Sequence, residues 1–114
     1  EAWAVVYDGV DAVVNEAGGS AHNAFRPSGL VAQGVKVLGK TGSTEKPYNA
    51  WFAGFAEDND GAKIAIAVLI EGGQHGSSDA APVARDVIQF CVDAGYVGKP
   101  SDLTIPIRAD AIGR

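Results

Sequence analysis

Residues 40–43 read Lys-Thr-Gly-Ser inside the stretch VKVLGKTGSTEKPYNAWFAGFA (Val35 to Ala56), between two apolar runs. Neighbouring side chains on a strand point to opposite faces, so Lys40 and Thr41 serve one cleft only if it runs along the strand's edge. Such an edge binds an extended peptide by strand addition, through its own N–H and C=O groups. Lys40 adds positive potential for a substrate carboxylate, and the Thr41 and Ser43 hydroxyls can hydrogen-bond it. Gly42 has no side chain to obstruct close approach. The Ser43 N–H can point at a developing oxyanion. The tripeptide alone is common, so its surroundings must decide.

Three strands are predicted around it: Val35 to Thr44, Ala50 to Ala56 and Lys63 to Ile70. Glu57 to Gly61 (EDNDG) joins the last two with residues suited to a hairpin turn, which makes those strands antiparallel neighbours. In the third strand Ile64, Ile66, Val68 and Ile70 share one face, and Ala65, Ala67 and Leu69 the other. Both faces are apolar, so both are expected to be covered, with a helix able to approach the alanine side closely. This strand pairs only on its hairpin side, and its bare edge asks for a strand from elsewhere in a parent protein.

Glu1 to Ala17 is predicted as a helix with an apolar stripe of Val6, Val10, Val13, Val14 and Ala17, stopped by Gly18-Gly19. His22 to Gly34 lacks periodicity and reads as a loop. A second helix is capped by Ser78 or Asp79, tolerates Pro82 in its first turn and ends at Gly95. Its stripe is Val83, Val87, Phe90, Cys91 and Ala94. Tyr96 to Arg114 is a tail in which LTIPIR is at most a short edge strand. The order predicts an α+β fold, an antiparallel sheet flanked by helices. Residues 1–97 form one unit and 98–114 a C-terminal tail.

Composition narrows the function classes. The chain has 114 residues, 46% hydrophobic and 20% charged, which fits one ordinary globular domain. A net charge of −5 without a basic stripe argues against a nucleic-acid partner. No apolar run approaches the ~18 residues of a membrane span. Cys91, the single cysteine, allows no internal disulfide and reads as a buried hydrophobe. His22 and His75 are far apart with no carboxylate spacing to complete a metal site, so no metal or cofactor is expected. Glu71 and Asp79 read as solvent or capping residues, and Trp51, Phe52 and Phe55 as core. The chain lacks Met and opens abruptly on EAWAVVYDGV, and reads as a fragment or a processed chain.

The wider pattern is more specific. GVDAVVNEAGGSA, GKTGSTEKPYNAWFAGFA, KIAIAVLIEGG and HGSSDAAPVARDVI, in that order, resemble the C-terminal part of a penicillin-binding transpeptidase domain. The likeness runs from about Trp3 to about Tyr96. It is closest to the class B enzymes of the cell-elongation type, whose sheet-end loop is similar to EGGQHGSSDAAP. Lys-Thr-Gly is the third motif of that family, beside Ser-x-x-Lys and Ser-x-Asn.

The resemblance implies a five-stranded antiparallel sheet with helices on both faces. It implies a peptidoglycan DD-transpeptidase in which a serine attacks the penultimate D-alanyl carbonyl of a stem peptide, and which β-lactams acylate. Lys40 would support the charge and proton network, Thr41 would bind the substrate carboxylate, and Ser43 would supply an oxyanion-hole N–H and a further carboxylate contact, with Gly42 between them. Family members are anchored in the cytoplasmic (inner) membrane and act on its outer side, alongside other cell-elongation proteins.

Two departures matter. Ser-x-Asn is absent, and Ser-x-x-Lys occurs only as Ser43-Thr44-Glu45-Lys46. Family nucleophiles sit at a helix start, whereas Ser43 ends a predicted strand. An upstream segment or companion chain is therefore expected to carry the nucleophile. The rival readings are a non-enzymatic β-lactam sensor or pseudoenzyme, and a β-lactam-hydrolysing relative.

Overall fold

The computed structural model describes residues 1–98, and its frame is one antiparallel sheet of strands β1 (Val35–Thr44), β2 (Asn49–Asp58) and β3 (Lys63–Glu71), ordered β1-β2-β3. β1 has its expected bounds. β2 and β3 run further at their ends because Glu57 still pairs with Lys36 and Asp58 with Val35, and because Asn49 pairs with Glu71. The Asp58 carboxylate closes the β2–β3 turn by accepting the amides of Asp60 and Ala62. Its other oxygen accepts the amide of Gly98, 2.8 Å away, where the chain has left the last helix. These bonds, that of Gly98 foremost, hold its carboxyl below the ordinary range.

Helix α1 (Ala2–Asn15) and the four-residue helix α2 (His22–Phe25) precede the sheet. The second lies in the segment read as a loop; a single turn is too short to show a period. α1 lies against β1 with only the middle of the predicted stripe, since Val13 packs on the core and Val10 is half-buried. Val14 is buried, but Val6 is 51% exposed and Ala17 is exposed. The sheet side of the helix carries Tyr7 and Asp11 as well. The Tyr7 hydroxyl donates to Glu57, its ring meets Phe55, and Asp11 pairs with Lys36 at 3.2 Å. Polar partners on the strands thus extend the buried face through Tyr7 and Asp11, while the stripe's ends, Val6 and Ala17, stay in solvent.

After β3 a π-helical turn (Gly76–Ala80) leads into α3 (Ala81–Asp93). Here the predicted stripe is not the buried one. Ala81, Ala84, Ile88 and Val92 are buried, while Val83, Val87 and Phe90 are exposed and Cys91 is half-buried. The helix is apolar on two sides, and the side with small alanines can approach the sheet more closely. Burial raises the pKa of the Cys91 thiol. Neither Ser78 nor Asp79 caps α3; its N-cap is Ala80, with no side-chain bond. Pro82 in the first turn and Gly95 at the end, with a positive φ, are as expected.

The core lies between α3, α2 and one sheet face, where Val35, Val37, Ala50, Phe52, Ala56 and Val68 are buried. Phe52 is fully buried and its ring centroid is 5.6 Å from that of Phe25. The other face is covered only near β1. Ala65, Ala67 and Leu69 are exposed beside Trp51, itself 40% exposed and not a core residue. The expectation that both faces of β3 are covered therefore fails among the described residues, because α1 sits over β1. The outer edge of β3 is likewise unpaired among them. The predicted tail strand LTIPIR lies outside the described residues.

Candidate active site at the edge of β1

Hydrogen bonds at its N-terminal half show which way β1 faces. The Val35 amide donates to Leu30 O, and the Val37 carbonyl accepts from Asn15 Nδ2 at 2.9 Å. Both partners lie off the sheet, so these residues turn their backbone groups to the outer edge, which no strand pairs among the described residues. Alternation puts the N–H and C=O groups of Gly39, Thr41 and Ser43 on the same edge.

The side chains divide as the sequence predicts. Thr41 and Ser43 share the core-side face with Val35 and Val37; Lys40 and Gly42 share the other with Leu38. Yet Lys40 bends round, and its Nζ donates to the Thr41 carbonyl at 2.8 Å. That carbonyl belongs to the open edge, so the ammonium reaches it from the far face. A Cβ at Gly42 would make only ordinary contact with Trp51, 3.7 Å away, so packing alone does not require glycine there.

Both hydroxyls have partners that no local sequence pattern marks. Ser20 Oγ lies 2.6 Å from Thr41 Oγ1, and the Gly76 amide donates to Ser43 Oγ at 3.1 Å. These contacts join residues 21 and 33 positions apart, beyond the reach of any local pattern. Gly76 fits because it has no side chain: a Cβ would stand 2.5 Å from Trp51 O and 2.7 Å from Gly42 O. Ser43 therefore sits on a strand beneath a loop, not at a helix start.

That loop is held by Asp79, whose Oδ2 accepts the amides of Gln74 at 2.8 Å and His75 at 3.0 Å. These bonds, His75 first, hold the Asp79 carboxyl below its usual range. A depressed folded pKa contributes stability that is fully present above the unfolded value of 3.8 and lost as pH falls through the folded one. Asp79→Ala is thus expected to lower the melting temperature at neutral pH, with the difference from wild type shrinking below about pH 4. Thermal melts from pH 7 to pH 2 check this; a constant difference would contradict it. The histidines do not meet: His22 Nδ1 bonds Val14 O at 3.1 Å, whereas His75 is exposed in the loop.

An open strand edge bearing an ammonium and two supported hydroxyls suits an extended peptide ending in a carboxylate. Residues 1–89 match the penicillin binding protein transpeptidase domain. The chain belongs to that family. It is similar to the peptidoglycan D,D-transpeptidase MrdA of Haemophilus influenzae, with 31% identity over 107 aligned positions, a match that covers 78% of this chain and 16% of the relative. It is also similar to the crystal structure of Pseudomonas aeruginosa PBP2 in complex with WCK 5153, at a TM-score of 0.61 and 29% identity. That likeness covers 92% of this chain and 22% of the other. Both matches agree with the class B resemblance and with an antiparallel sheet flanked by helices. The chain spans about a sixth of the length of the curated relative it matches.

Proposed function

We propose that this chain is the Lys-Thr-Gly-bearing part of a peptidoglycan DD-transpeptidase. The edge of β1 carries the reading, because Lys40 Nζ reaches the Thr41 carbonyl there from one face while the supported Thr41 and Ser43 hydroxyls stand on the other. A stem peptide ending in D-Ala-D-Ala adds along that edge. The Thr41 and Ser43 hydroxyls hold its terminal carboxylate, and the Ser43 N–H donates to the oxygen of the attacked carbonyl. Lys40 stabilises negative charge and supports proton movement beside them.

The nucleophilic serine and the Ser-x-Asn motif come from sequence outside this chain. The serine oxygen bonds to the penultimate D-alanyl carbonyl carbon, and terminal D-Ala leaves as the amine after taking up a proton. An amine of a neighbouring peptide then attacks the ester, restoring the serine and forming the cross-link. β-Lactams acylate the same serine. The whole protein works at the outer side of the cytoplasmic membrane, among cell-elongation proteins; among the described residues no helix is long and apolar enough to cross a membrane.

Fluorescent penicillin labelling of the whole protein, followed by peptide mapping, tests this. The label is expected on one serine outside these 114 residues. Label on Ser43, or none on intact protein, overturns the assignment; the latter result favours a sensor or pseudoenzyme.

A further inference from the structure

The turn that leaves α1 places one side chain against the site. Glu16 is extended and Gly18 has φ +92. At Gly19 a Cβ would come 2.2 Å from Ala12 O and 2.4 Å from Val13 O, so the chain lies directly on the helix end. The Ala21 amide then donates to Val13 O, and Ala21 is fully buried. Ser20, pinned between these anchors, delivers its hydroxyl to Thr41 at 2.6 Å.

A hydroxyl has one proton to give and two lone pairs to offer. If Thr41 gives its proton to a carboxylate, its bond with Ser20 persists only with Ser20 as donor. The order is then Ser20 O–H to Thr41 Oγ1, and Thr41 O–H to the ligand, each bond polarising the next. Ser43 shows the same polarity: Gly76 donates to its oxygen from behind, leaving its own proton for a ligand. Two separate turns, one after α1 and one after β3, thus back the two hydroxyls in the same sense.

We propose that Ser20 is a positioning residue for carboxylate recognition, orienting the Thr41 hydroxyl without touching the ligand. The inference rests on the reading of Thr41 as a carboxylate contact given above. It is tested in the whole protein with a penicillin carrying its free carboxylate and with the methyl ester of the same compound. Ser20→Ala is expected to slow acylation by the free acid about tenfold, the size of one net hydrogen bond, and to leave the slower ester rate unchanged. Ser20→Thr keeps the hydroxyl and is expected to retain the free-acid rate.

Equal losses with acid and ester mean a merely structural role and overturn the proposal. So does an unchanged free-acid rate in Ser20→Ala. Thr41→Val separates this from the underlying assignment, since it must itself lose the preference for the free acid. If that variant keeps the preference, the carboxylate reading of Thr41 falls and the proposal falls with it.

Discussion

Replacing Lys40 by alanine is expected to slow β-lactam acylation of the whole protein by at least about a hundredfold, the lower range for a positioned group acting on proton transfer. The fold should hardly notice. Lys40 is exposed and gives the described residues one exposed hydrogen bond, to the neighbouring Thr41 carbonyl. Surface substitutions of that kind usually change stability by less than about 0.5 kcal/mol. Acylation rates and thermal melts on the same preparations separate the two effects. An unchanged rate would remove Lys40 from the active site. A rate lost together with the melting transition would show that the lysine supports the strand instead. Lys40→Arg keeps the charge but replaces a compact ammonium with a planar fork, so only partial recovery is expected.

Phe52→Ala is expected to have the largest effect on stability, about 3–5 kcal/mol, measured by denaturant unfolding of the whole protein. The ring is fully buried and packs on Phe25, and its strand position is paired with Thr41. Emptying this site removes contacts from α2 and from the sheet together, and the surrounding backbone can collapse only partly. Functional loss is expected to follow, since the strand pair beneath the Thr41 hydroxyl loosens. A loss under about 1 kcal/mol would mean that α2 closes over the cavity.

The two helices show why some of this was legible in the sequence and some was not. β1 was readable because a polar tetrapeptide between apolar runs is an unusual local pattern, and its bounds followed. On α3 the period of 3.6 fits both Val83-Val87-Phe90 and Ala84-Ile88-Val92. Hydrophobicity favours the first series, but closeness of approach favours the second. On α1, Tyr7 and Asp11 turn toward the sheet because Glu57 and Lys36 receive them, and a partner 25 or more residues away leaves no local trace. Asp79 has the residue type of a helix cap, but its carboxylate serves the preceding turn. The supports of Thr41 and Ser43 escaped for the same reason as the partners of α1. Gly18-Gly19 marked a helix stop, and nothing local marked what Ser20 would meet.

The double use of Asp58 has a mechanical side. Its carboxylate fastens the turn between β2 and β3 and also holds the amide of Gly98, next to the buried Val97. A pull at Gly98 is therefore shared between that carboxylate, and through it the hairpin turn, and the buried Val97. Load at Gly98 thus reaches the frame that carries Lys40, Thr41 and Ser43, and not the helix alone.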